Sequence, residues 1–124
     1  MPTEYTTLVE ELKKTSIPFE EYGWKYRPDT KYGITSCDFE SDSLEGDGEK
    51  LDAEYEASVD IFLTRLSERE QAQTEVEEVL KRVCGSRWWM NSCQFEQSTN
   101  RLHIEWVCVV KDTGAEDEDD AVQV

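Results

Sequence analysis

The chain reads as an α+β domain: an antiparallel sheet of about five strands flanked by two helices, in the order α-β-β-β-α-β-β. Three observations predict it. Two segments repeat apolar residues at helical spacing, several others alternate apolar and polar with period two, and turn-forming residues separate them. The 124 residues suffice for one hydrophobic core and hardly two.

In the first segment Tyr5, Leu8, Val9 and Leu12 fall at i, i+3, i+4 and i+7, and Pro18 stops the run, so a helix is predicted over 4–15. In "FEEYGWKY", Tyr22, Trp24 and Tyr26 alternate with Glu21, Gly23 and Lys25, the pattern of a strand. Pro28 and Asp29 then supply a turn, and "KYGITSCDFE" is expected to return antiparallel. Its phase is uneven: Tyr32 and Ile34 share one face and Cys37 and Phe39 the other, which a bulge or a twisted edge strand would reconcile. The cleanest alternation is "AEYEASVDIFLTR", with Tyr55, Ala57, Val59, Ile61 and Leu63 on one side, the mark of a central strand with one buried face. Ser67-Glu68-Arg69-Glu70 fits a capping box, and Ala72, Val76, Val79, Leu80 and Val83 form a stripe, so a second helix is predicted over 68–84, with Gly85 just past its end. Two strands close the domain, "RWWMNSCQFE" and "RLHIEWVCVV", joined at Ser98-Thr99-Asn100. In the last, Leu102, Ile104, Trp106, Cys108 and Val110 share a face, while Val107 and Val109 interrupt the polar one. The domain is expected to span 1–112, and 113–124 is expected to be a disordered acidic tail.

Charge narrows the function. Twenty-nine acids against 13 bases give −16, the wrong sign for gripping nucleic acid through a general field. Repulsion suits a channel through which DNA must slide. The four cysteines contain no CxxC pair and the one histidine is His103, so zinc is not expected. The opening segment has no basic start or apolar run, and no stretch matches the roughly 20 apolar residues of a membrane span, so a cytoplasmic chain with reduced thiols and no membrane partner is expected.

Residues 41–50, "SDSLEGDGEK", mix acids and glycines as a calcium loop would. From Asp42, however, the alternate positions are Leu44 and Gly46, so the ligand pattern fails. A long hairpin that uses Gly46 and Gly48 for positive φ is the better reading. No nucleophile motif is present, His103 is read as a satisfied surface or interface histidine, and Glu54, Glu56 and Asp60 as a solvated strand face rather than an acid–base pair. No catalytic residue, cofactor or metal is assigned. Trp88 and Trp89, being adjacent in a strand, must point to opposite faces, so one of them needs exposure or a partner. Phe62 poses the same problem on its strand's polar face.

Together these segments resemble the tail terminator, or tail completion, proteins of long-tailed bacteriophages and prophages. The residues that carry the resemblance are "TTLVEELKKTSIPF", "FESDSLEGDGEK", "ASVDIFLTR", "EVEEVLKRV" and "NSCQFEQSTNRLHIEWVCVV", spanning nearly all of 4–111. The polar "KYGITSCDF" and the acidic tail depart from it. The resemblance implies a non-enzymatic virion protein of the tail and neck, assembled in the host cytoplasm. It would form a homohexameric ring that caps the tail tube protein, joins it to the head–tail connector or neck protein, and passes DNA through its lumen as cargo. A ring repeats one heterologous interface, which requires two adhesive surfaces per subunit. The candidates are Leu44, Glu45 and Asp47 in the hairpin, Phe62, Trp88, Trp89, and the pair Val107 and Val109. The rival reading is a small acidic phage-encoded inhibitor that mimics DNA.

Overall fold

Tyr5, Leu8, Val9 and Leu12 lie on one stripe of the first helix, α1 (Thr3–Leu12), and all four are buried. In the computed structural model, which describes residues 2–38 and 53–112, α1 ends three residues before the predicted boundary. The Thr15 hydroxyl donates to the Leu12 carbonyl at 2.7 Å, and the Ser16 amide and hydroxyl both donate to Glu75 Oε1 (2.9 and 3.0 Å). Leu44, Glu45, Asp47, the hairpin of 41–50 and the acidic tail of 113–124 lie outside the described residues.

The next strands correct the expectation of an antiparallel sheet. β1 (Phe19–Glu21) pairs parallel with β2 (Lys31–Cys37), Phe19 opposite Gly33, so the sheet is mixed. The alternating aromatics 22–26 are not a strand. Tyr22 takes φ 64° and Gly23 φ 145°, which breaks the extended run and turns the chain into a loop. That loop is clasped to the sheet by the Trp24 indole, which donates to the Gly33 carbonyl at 2.9 Å. β2 needs no bulge: its register against β3 (Ala53–Leu63) is regular from Lys31 opposite Leu63 to Cys37 opposite Ala57. Gly33 and Thr35, both buried, continue the Cys37 face.

β3 is the central strand the alternation predicts: Ala57, Val59, Ile61 and Leu63 are buried. A 3-10 turn over Leu66–Glu68 follows and leads into α2 (Arg69–Cys84). The predicted capping box does not form, since no side chain caps α2. The turn's own backbone supplies the bonding, with the Glu68 amide donating to the Arg65 carbonyl at 3.0 Å. Ala72, Val76, Val79, Leu80 and Cys84 are the buried stripe, and Gly85 (φ 66°) ends the helix by donating to the Lys81 carbonyl.

β4 (Trp88–Glu96) and β5 (Arg101–Asp112) form a hairpin closed by Asn100 at φ 59°, with an irregularity between Met90 and Ser92. β5 also pairs along its whole length with β3, giving the order β1-β2-β3-β5-β4. Along the chain the elements run α1, β1, β2, β3, the 3-10 turn, α2, β4, β5, which differs from the expected order by the added turn. Both helices cover the same face of the sheet: their stripes, the odd-numbered residues 57–63 of β3 and the even-numbered residues 102–110 of β5 make one core. Trp106 is fully buried there, its indole donating to Glu77 Oε2 at 3.0 Å.

Candidate interaction surface

The second face of the sheet carries Tyr32, Phe62 and His103, brought side by side by register: Tyr32 opposite Phe62, Phe62 opposite His103. Phe62 stacks on Tyr32 (centroids 4.8 Å, 14° between planes) and on His103 (4.3 Å, 21°). Trp24 meets the far side of Tyr32 edge-on at 6.4 Å. Phe62 therefore has ring partners within its own chain, and the premise that it lacks an internal partner is corrected. It is only half-buried.

His103 ties three strands together. Its Nε2 lies 3.2 Å from Asp60 Oδ1 on β3 and its Nδ1 lies 3.2 Å from Glu96 Oε2 on β4. An imidazole can donate to both carboxylates only when protonated. Asp60, and then Glu96, hold its pKa above the ordinary histidine value, against the opposing effect of burial. Asp60 is thus engaged rather than merely solvated. Glu54 and Glu56 are exposed on the same face.

The tryptophans divide as their adjacency requires. Trp88, opposite Cys108, packs against the core and donates its indole N–H to the Gly85 carbonyl at 3.0 Å. Trp89, opposite Val107 on the other face, is 46% exposed. Val107 and Val109 lie half-buried beside it, uncovered by either helix. Val109 is held from behind: Arg87 donates to its carbonyl and pairs in a fork with Glu4 (2.9 and 3.2 Å), whose Oε1 also accepts the Lys111 amide at 2.9 Å. A shallow depression of about 290 Å³, lined among others by Ser36, Ser58, Glu56, Glu105 and Val107, continues this surface toward β2.

The four cysteines are free. Burial pushes the Cys37 thiol up to about 11. The Cys108 thiol donates to its neighbour Cys84 and is buried, and both effects hold it protonated, while accepting that bond lowers the pKa of Cys84 against the effect of burial. Among the described residues no group of three or more His, Cys, Asp or Glu side chains is placed to hold a metal ion, and no helix is long and apolar enough to cross a membrane. What sequence reasoning missed is the Asp60–His103–Glu96 cluster and the Tyr32–Phe62–His103 stack, whose only signal was the cross-strand register. No protein-family model matches the chain, and no curated protein matches it.

Proposed function

We propose that the chain is a structural assembly protein of the tail-terminator kind, a subunit without catalytic role that repeats into a hexameric ring. In that role it would cap the finished tube of a phage tail, join it to the neck, and let DNA pass through its lumen. The observation that supports this reading is the sheet face without a helical cover, where Trp89 stands 46% exposed beside Val107 and Val109. An exposed aromatic flanked by apolar residues suits burial by a neighbouring subunit. The net charge of −16 suits a lumen that must not grip DNA.

The test is light scattering of the purified chain with electron microscopy, alone and with tail tubes. Rings seated on tube ends are expected. A chain that stays monomeric in the presence of tubes and leaves their length unregulated would overturn the reading. The DNA-mimic alternative draws on Glu54 and Glu56, exposed on the same face. A stoichiometric complex with a DNA-processing enzyme, displaced by DNA, would favour it instead.

A further inference from the structure

We infer that the Arg101 end of the sheet is a docking site for the acidic C-terminal run of a second copy of this chain, so that copies meet head to tail. The chain is acidic overall, yet Arg27 and Arg101 meet over the Tyr32 ring at this end, and Lys25 lies two residues before Arg27 in the same loop. The guanidinium groups of Arg27 and Arg101 lie 5.7 and 5.8 Å from the centre of the Tyr32 ring, and the Lys25 ammonium lies 5.6 Å from that of Tyr26. Among the described residues none of these three cations forms an ion pair. Tyr26 is 82% exposed. Arg101 donates through Nη2 to the Asp29 carbonyl at 3.2 Å and its Nε is buried, which leaves Nη1 as the end of the guanidinium that an incoming carboxylate can meet. Cations resting on aromatic rings keep N–H groups available, and carboxylates are their strongest acceptors.

Register supplies the occupant. Lys31, Leu63 and Leu102 align at the basic end of the sheet, and Ala53 and Asp112 align at the other. The chain therefore leaves β5 at the end remote from the patch. At about 3.3 Å per residue, Arg101 and Asp112 stand about 36 Å apart. Past Asp112 the acids are Glu116, Asp117, Glu118, Asp119 and Asp120. Fully extended chain carries Glu116 at most about 14 Å and Asp120 at most about 29 Å from Asp112. The guanidinium groups rest beside Tyr32, level with His103 and about 30 Å from Asp112, so a copy's own acidic run reaches them only when fully extended, whereas that of a second copy is under no such restriction. Donor and acceptor surfaces differ, so the contact is heterologous and repeats from copy to copy. It stands whether or not the assembly caps a tail.

Sedimentation velocity of the full chain tests it, from about 0.05 M to about 0.5 M NaCl, a range that shortens the screening length severalfold. Association of the wild type is expected to weaken as salt rises. Lys25→Glu with Arg27→Glu should weaken self-association about tenfold or more, and so should Glu118→Lys with Asp119→Lys and Asp120→Lys. An equimolar mixture of the two variants should recover association, because each supplies the charge the other lacks. Thermal melting checks that each variant folds, and Lys25→Gln with Arg27→Gln is the milder substitute if the reversal does not. A wild type that stays monomeric throughout overturns the inference. So do variants that associate like the wild type, or a mixture no better than its components. Rings that persist in the charge variants would sink this contact and leave the proposed assembly standing; salt-sensitive association that never closes into rings would do the reverse.

Discussion

His103 is the residue whose environment most exceeds its local sequence. Arg101 and Glu105 flank it on the same strand face, but its partners are Asp60 and Glu96, reached across strands. No period along the chain reveals such a pair; it exists only once β5 is aligned with both neighbours. The sign of its pH dependence follows from its raised pKa. A group whose folded pKa lies above the unfolded one contributes stability that is fully present below the unfolded value and is lost as pH rises through the folded value. The melting advantage of wild type over His103→Gln is therefore expected to be largest near pH 6, about 1–2 kcal/mol for charge-assisted bonds, and to shrink toward pH 9. An advantage independent of pH would show that the ring acts only through its stacking on Phe62.

At the level of elements, long amphipathic segments were legible and short or locally ambiguous ones were not. α2 and β3 each bury one periodic stripe, so pattern alone places them. β1 has three residues, too few for a pattern to name a partner or direction, and the stronger β formers that follow it turn away at Tyr22 and Gly23. The signal for its true position is Gly33. A Cβ there would overlap the ring of Phe19, which packs across the parallel pair. Gly33→Ala is expected to cost about 1–3 kcal/mol in denaturant unfolding, and Phe19→Leu in the same chain should recover part of it. Ser67 makes the opposite case. Its capping grammar is sound, yet a 3-10 turn occupies the site and no side chain caps the helix. Ser67→Ala should change stability by less than about 0.5 kcal/mol, where a working cap would lose about 1 kcal/mol. A loss of that size would mean that Ser67 does cap α2.

For the molecule as a whole, the question is which large apolar groups serve folding and which serve association. Trp88→Ala removes a ring packed on the core and is expected to cost about 2 kcal/mol or more in thermal or denaturant unfolding. Trp89→Ala removes one that is 46% exposed, and is expected to leave the melt within about 1 kcal/mol while blocking ring formation or tail joining. Normal assembly by Trp89→Ala would remove this residue from the interface. The sequence showed that the two must diverge but not which would face the core, because that depends on the hairpin register of β4. The strand order has a consequence for biosynthesis. β5 is made after both β3 and β4, yet it lies between them. Until β5 emerges, β3 has no partner on that side and β4 has none among the described strands. Val59, Ile61 and the stripe of α2 then lack the surface they are buried against, leaving a nascent chain that chaperones would recognise. Completion of the sheet therefore waits for β5 to leave the exit tunnel, however far synthesis has then gone.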